Sequence, residues 1–152
     1  MLREAFIRPL PIQRRLPILI GGSGPKRTLR TVARFADAWN SFGTVEEFVE
    51  RDRVLRAHCD DVGRDQAEIE RDLIFNVAVR DDPAEARDDL EATLRPFDPE
   101  PVTGSSFGGS PAEVAAMIRP DVDPGVQHVV WAFYPPFDLE TVGRLSEIMG
   151  AA

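Results

Sequence analysis

Residues 16–40 read LPILIGGSGPKRTLRTVARFADAWN. Pro17 to Ile20 is a short apolar run rich in β-branched side chains, which suits a parallel strand buried on both faces. Gly21, Gly22 and Gly24 then admit positive φ and let a ligand approach the main chain closely. Pro25 fits the first helical position, so Ser23 or Gly24 is the expected cap, with Lys26, Arg27, Thr28 and Arg30 in the opening turns. Helices favour acidic side chains at that end, so Lys26 and Arg27 oppose the dipole, and a bound anion would remove the conflict. A strand, a glycine loop and a helix N-terminus make a phosphate site from unpaired N–H groups. The same pattern also serves an ordinary strand-to-helix connection with solvated charges. Two nucleotide motifs are excluded by spacing. Pro25 separates Gly24 from Lys26, which rules out a P-loop, and Arg27 stands where the dinucleotide fingerprint has its third glycine.

Length and charge narrow the field. A chain of 152 residues, 43% of them hydrophobic, can build one domain with a real core. Its net charge of −8 argues against nucleic acid as a main partner. Residues 1–34 hold eight Lys or Arg against one acid, or +7, while the remainder holds ten against twenty-five, or −15. A basic segment on an acidic body suits a small anionic ligand held locally, or a basic face packed on that body. Cys59 is alone, which excludes a disulfide framework and a cysteine metal cluster and suits a reducing, cytoplasmic setting. No apolar run approaches the roughly 18 to 20 residues of a membrane span. Arg3, Arg8, Pro9, Pro11, Arg14 and Arg15 interrupt the N-terminal stretch, so no signal peptide is expected.

Taken in order, residues 1–16 read as an irregular lead-in. Leu29, Val32, Ala33 and Ala36 share one face of the first helix, and Ala36 to Trp39 is a second strand. Thr44 and Glu47 form a capping box for a helix whose stripe is Val45, Phe48, Leu55, Cys59 and Val62, ended by Gly63. Asp52 lies on that stripe as an unexplained exception. Asp72 to Val79 is the third strand. Asp82, Pro83 and Glu85 open a helix facing inward with Ala86, Leu90, Thr93 and Leu94. Residues 95–110, RPFDPEPVTGSSFGGS, read as a Pro/Gly/Ser-rich loop. Ser110, Pro111 and Glu113 start a helix with Val114, Met117 and Ile118 inward, and Val126 to Phe133 is the fourth strand. The last helix, capped by Asp138, should turn Leu139, Val142, Leu145 and Met149 to the core. Four strands, each followed by a helix, imply a parallel α/β sheet with right-handed crossovers. Either a small open sheet or half of a (β/α)₈ barrel satisfies the pattern, and both place ligands at the strands' carboxyl ends.

Several longer segments narrow the choice. ILIGGSGPKRTLRTVARFADAWN, LRAHCDDVGRDQAEIE, GSPAEVAAMI and GVQHVVWAF together resemble the bacterial luciferase-like monooxygenase superfamily, especially its coenzyme F420-dependent branch. The resemblance runs from about Pro17 to Met149. It implies an α/β fold in which residues 17–152 are the C-terminal half, strands 5 to 8, of a (β/α)₈ TIM barrel. The family's first four units would lie outside this sequence, and with them much of the pocket around the redox ring and the residues of the chemical step.

The resemblance further implies that Gly21, Gly22, Ser23 and Gly24 hold a cofactor phosphate through backbone donors, with Lys26, Arg27 or Thr28 as side-chain partners. The cofactor would be F420, with FMN as the alternative, and the chemistry hydride transfer to or from a small organic substrate, or oxygen activation with FMN. Trp39, Asn40, Phe42 and Tyr134 lie near predicted carboxyl ends and are candidate pocket lining, with core packing as the competing role for the aromatics. Asn76, mid-strand in an apolar run, is expected to face the barrel centre with a buried partner. His58 and His128 are far apart without carboxylate or cysteine partners at metal spacing, so no metal site is expected. Ser105 and Ser106 lack the context of a nucleophile elbow. The alternative to part of an oxidoreductase is a non-catalytic phosphate-binding or interaction module. Half a barrel leaves two strand edges unpaired, so a homodimer or association with a separate N-terminal half is expected.

Overall fold

The computed structural model describes residues 10–97, 104–122 and 124–151. Its elements are β1 (Leu19–Gly21), α1 (Thr28–Phe35), β2 (Ala38–Ser41), α2 (Val45–Val62), β3 (Glu70–Val79), α3 (Pro83–Leu94), β4 (Ser106–Gly109), α4 (Pro111–Val122), β5 (His128–Ala132) and α5 (Leu139–Ala151). Residues 1–9 of the expected lead-in lie outside the described residues, and residues 10–16 form neither helix nor strand. No described helix is long and apolar enough to cross a membrane.

Every strand pairing is parallel. β3 is the organising strand. Along one of its edges the even-numbered residues meet β2 and then β4: Glu70 N–H donates to Asp37 O (2.9 Å), Asn76 N–H to Ser105 O (2.8 Å) and Arg80 N–H to Gly109 O (3.2 Å). The opposite edge uses odd-numbered residues, with Arg71 O accepting from Gln127 N–H at 2.9 Å where β5 runs alongside. The four expected strands therefore lie in the order β1-β2-β3-β5, and β4 fills the edge of β3 beyond the end of β2.

Alternation then sorts the faces. Trp39, Leu73, Phe75, Val77 and Val79 point into one core with Leu29, Val32 and Ala33 of α1, Phe48, Leu55 and Cys59 of α2, Val114 and Ile118 of α4 and Ile148 of α5. Four helices thus share one face of a sheet whose main strands follow chain order. A doubly wound open sheet would reverse its order and bury both faces, so the single-sided winding is that of a half barrel. Among the described helices α3 alone sits on the other face, at the carboxyl end, where Leu90 and Leu94 pack on Ala78. Gly108 permits this approach: a Cβ there would stand 2.9 Å from the Arg87 backbone.

Local capping follows the sequence closely. The Thr44–Glu47 box, the left-handed Gly63 and the Asp82 cap with Pro83 behind it are all present. Several details differ from expectation, among them the first strand, where Ile18 and Leu19 are exposed and not buried on both faces. α1 starts at Thr28 rather than Pro25, because Pro25–Arg27 form a turn closed by Leu29 N–H on Gly24 O (3.1 Å). β2 begins two residues late, since Ala36 is the C-cap of α1. Residues 95–110 are not all loop, because β3's unmet carboxyl half draws Ser106–Gly109 into the sheet; residues 98–103 of that stretch lie outside the described residues. Ala115, not Met117, joins Val114 and Ile118 in the core. Leu139 (76% exposed), Val142 and Met149 face outward, and Thr141 and Ile148 are the buried positions of α5. The reason is a hydrogen bond: Thr141 Oγ1 accepts from Val79 N–H at 2.8 Å, where β5 no longer covers β3.

Asp52 also finds its explanation. It is 8% exposed and accepts from Arg71 Nε (2.9 Å) and Arg56 Nε (2.6 Å), joining α2 to the start of β3. Removing it would strand the buried Arg71 guanidinium, so Asp52→Ala should cost about 3 to 5 kcal/mol in urea unfolding. Asp121, buried in α4, behaves oppositely. Burial, reinforced by Glu46, pushes its carboxyl from 3.8 up to about 6. The folded state binds this proton more tightly than the unfolded chain, so the contribution is full below pH 3.8 and lost as pH rises through about 6. Asp121→Asn should be more stable than the parent at pH 7, with the gap closing by pH 4 in paired denaturation curves.

Candidate functional site

The glycine loop leaves β1 at its carboxyl end, beside the end of β2. Gly22 N–H donates to Asn40 O (3.1 Å), closing the β-ladder, and Gly22 O accepts from the Trp39 indole Nε1 (2.8 Å). Gly22 holds φ +125°, and a Cβ there would press on Thr28 Cγ2 at 3.2 Å, so the turn calls for glycine. Beyond it, Gly24 O accepts from Leu29 N–H, and Pro25 O lies 2.8 Å from His58 Nε2 of α2. The N–H groups of Ser23, Gly24, Lys26 and Arg27 find no acceptor among the described residues. Lys26 and Arg27 are exposed, and Thr28 folds its hydroxyl beneath Gly24. Arg27 is the N-cap without a side-chain cap bond, and no acid stands in the first turn of α1. The positive end of this short helix is thus framed by basic side chains and free amides.

The other candidates divide. Trp39 is 0% exposed and stacks on Phe48 (5.5 Å between centroids), on the helix-covered face, so it supports the loop from behind instead of lining an opening. Asn40 occupies the other face. Phe42, just past β2, is exposed under the Arg51 guanidinium (5.5 Å), and its carbonyl accepts from Arg51. Tyr134 lies beyond β5, at the far end of the sheet from the glycine loop, stacked on Phe97 at 4.7 Å. It lines a cavity of about 20 Å³ with Asn76, Ala78, Leu90, Leu94 and Asp138. Asn76 faces this side as expected and donates to Ser106 Oγ (3.1 Å). Burial opposes ionisation of Asp138, but bonds from Thr141 and Arg80 outweigh it and hold its carboxyl below the ordinary range. Burial pushes the Cys59 thiol up, which leaves it an inert core residue.

Two contacts escaped sequence reading. Gly21, Asn40, Asp72 and His128 stand opposite one another across four strands, a polar row on the face that α1, α2, α4 and α5 leave open. His128 Nδ1 lies 3.1 Å from Asp72 Oδ1 and 3.6 Å from Glu70 Oε2, so His128 does have carboxylate partners, supplied by β3. Period-2 alternation from Asn76 puts Asp72 on the same face, a signal present in the sequence, but only the strand register brings His128 to it. The second is His58 on the loop carbonyl, joined across 33 residues of sequence. Among the described residues no group of three or more His, Cys, Asp or Glu side chains is placed to hold a metal ion.

A family model described as luciferase-like monooxygenase matches residues 1–128. Among solved structures, the chain is similar to an F420-dependent secondary alcohol dehydrogenase in complex with an F420–acetone adduct, at 17% identity and TM-score 0.63, over 86% of this chain and 46% of that one. A long-chain alkane monooxygenase matches at 17% identity and TM-score 0.69, over 91% and 41%. A riboflavin lyase with modified FMN and riboflavin matches at 13% identity and TM-score 0.65, over 87% and 41%. The chain thus spans less than half the length of each of these structures. A search of curated proteins returns no match. The structural likeness speaks for the half-barrel fold, and the family model, covering most of the sequence, places the chain among the luciferase-like monooxygenases.

Proposed function

We propose that this chain is the cofactor-phosphate half of an F420-dependent oxidoreductase, with FMN as the alternative cofactor and a small organic molecule as substrate. The observation that carries the reading is the loop from Gly21 to Thr28. It presents several N–H groups without acceptors among the described residues, at a helix N-terminus with Lys26 and Arg27 alongside and no acid in the first turn. A phosphate monoester or diester supplies the charge and acceptor oxygens such a loop lacks. When bound, the cofactor provides hydride transfer or oxygen activation, and the protein positions it. In this chain the loop anchors the tail, Asn40 flanks the anchor, and the row through Asp72 and His128 forms the polar floor of the open face. The lone buried Cys59 suits a reducing, cytoplasmic setting.

Titrating the purified chain with F420 and FMN separately, while following cofactor fluorescence, tests the proposal. Saturable binding of one of them, relieved by millimolar inorganic phosphate, is the expected result. Binding of neither would overturn it, and binding without turnover would favour a phosphate-binding module.

The same proposal has the site completed by a second four-strand unit, either another copy or a separate N-terminal half. β1 and β5 each pair on one edge only among the described residues. Light scattering on the isolated chain should therefore give a mass above the 16.9 kDa of one copy. A soluble, concentration-independent monomer would contradict this.

A further inference from the structure

We infer that His58 and Trp39 are positioning residues that aim the glycine-loop amides, so that the cofactor phosphate is met chiefly by Ser23 N–H and Lys26 N–H. This rests on the phosphate reading above and adds what holds the loop in its binding shape. In a trans peptide the C=O of one residue and the N–H of the next point in opposite directions across the plane. Fixing a carbonyl therefore fixes the opposite heading of the amide that follows. The Gly22 carbonyl is held by the indole N–H of Trp39, itself immobilised in the core against Phe48. Ser23 N–H is thereby turned away from the core. The Pro25 carbonyl is held by His58, on a helix anchored through Phe48, Leu55 and Cys59. Lys26 N–H is turned away from α2 in the same manner.

Between the two, Gly24 O is taken by Leu29 N–H, and Pro25 has no N–H to misdirect. The only cis peptide among the described residues is at Pro135–Pro136, so both loop planes are trans. Because its acceptor is a carbonyl, His58 donates from Nε2, leaving Nδ1 toward Asp61 at 3.8 Å. The tethers come from the sheet on one side and from α2 on the other. Together they set the heading of two of the four amides that lack acceptors among the described residues, in a loop where the Gly22, Gly24 and Pro25 carbonyls are all engaged.

The test uses the full chain and two ligands that differ only in the phosphate, FMN and riboflavin. F420 paired with its phosphate-free deazariboflavin parent serves for the other cofactor. The parent protein should bind the phosphorylated ligand more tightly. His58→Leu should weaken that binding by about tenfold, the loss expected for one mis-set charge-assisted hydrogen bond, and leave the phosphate-free ligand within about twofold. His58→Gln keeps an N–H donor at similar reach and should restore most of the affinity. Trp39→Phe keeps the ring stack and should show the same selective loss. Equal weakening of both ligands, an unchanged affinity in His58→Leu, or failure of glutamine to rescue would overturn the inference. If the parent binds both members of each pair equally, the phosphate reading itself fails, a separate result.

Discussion

A ten-residue strand in the middle of a parallel sheet must satisfy hydrogen-bonding groups on two edges, and among the described residues β3 has no single neighbour long enough to do so on either side. β2 covers only Glu70–Leu73 on one edge, and β4 meets Asn76–Val79 further along it. β5 covers Asp72–Asn76 on the other, so Val79 N–H lies beyond it and is met by the Thr141 hydroxyl. That bond fixes the rotation of α5. It also ties α5 to Arg80 and Asp138, since Thr141 and Arg80 both bond the Asp138 carboxylate. The position of α3 follows from the same strand, because Ala78 on its open face is small enough for Leu90 and Leu94 to settle against it.

These dependencies explain which features were legible in the sequence. Helix starts governed by a side chain three residues from its partner, such as Thr44–Glu47 and Ser110–Glu113, are local and read directly. So does the buried face of α1, where Leu29, Val32 and Ala33 leave no competing stripe. β4 was hidden because SSFGG has little strand character of its own; unmet donors on a strand thirty residues earlier impose it. The buried face of α5 is not legible locally, because Leu139, Val142 and Met149 make a convincing apolar stripe, yet a threonine hydroxyl needed by β3 decides the rotation. Asp52 was opaque for the corresponding reason, its partner Arg71 lying nineteen residues away on another element.

The candidate site shows the same division. The glycines and basic residues announced a loop suited to an anion. The direction of its amides could not be read locally, since the side chains that turn the peptide planes come from Trp39, seventeen residues away from Gly22, and His58, thirty-three from Pro25. The delayed start of α1 matters as well. It moves Lys26 out of the helix and leaves Arg27 at the N-cap and Arg30 in the first turn, so the unfavourable pairing of cations with the helix dipole persists. An anion in the loop would relieve it where no acidic side chain does.

What the fold leaves exposed follows from single-sided winding. Four helices cover one face, so Leu19 of β1 and Val130 of β5 on the other are exposed, and Leu139, Val142 and Met149 of α5 are exposed as well. A groove of about 600 Å³ runs between α4 and β5, lined by Ile118, Val122, Val126, Trp131 and Met149. On the proposed reading these surfaces and the two outer strands meet one complementary unit. Such a unit cannot be a hairpin, because a hairpin would present one strand antiparallel to its neighbour. Parallel pairing with both β1 and β5 requires a sheet whose own two outer strands run in the same direction, with its helices wound on the outside. Only then do the polar row through Asn40, Asp72 and His128 and the loop at Gly21–Thr28 come to face an enclosed interior in place of solvent.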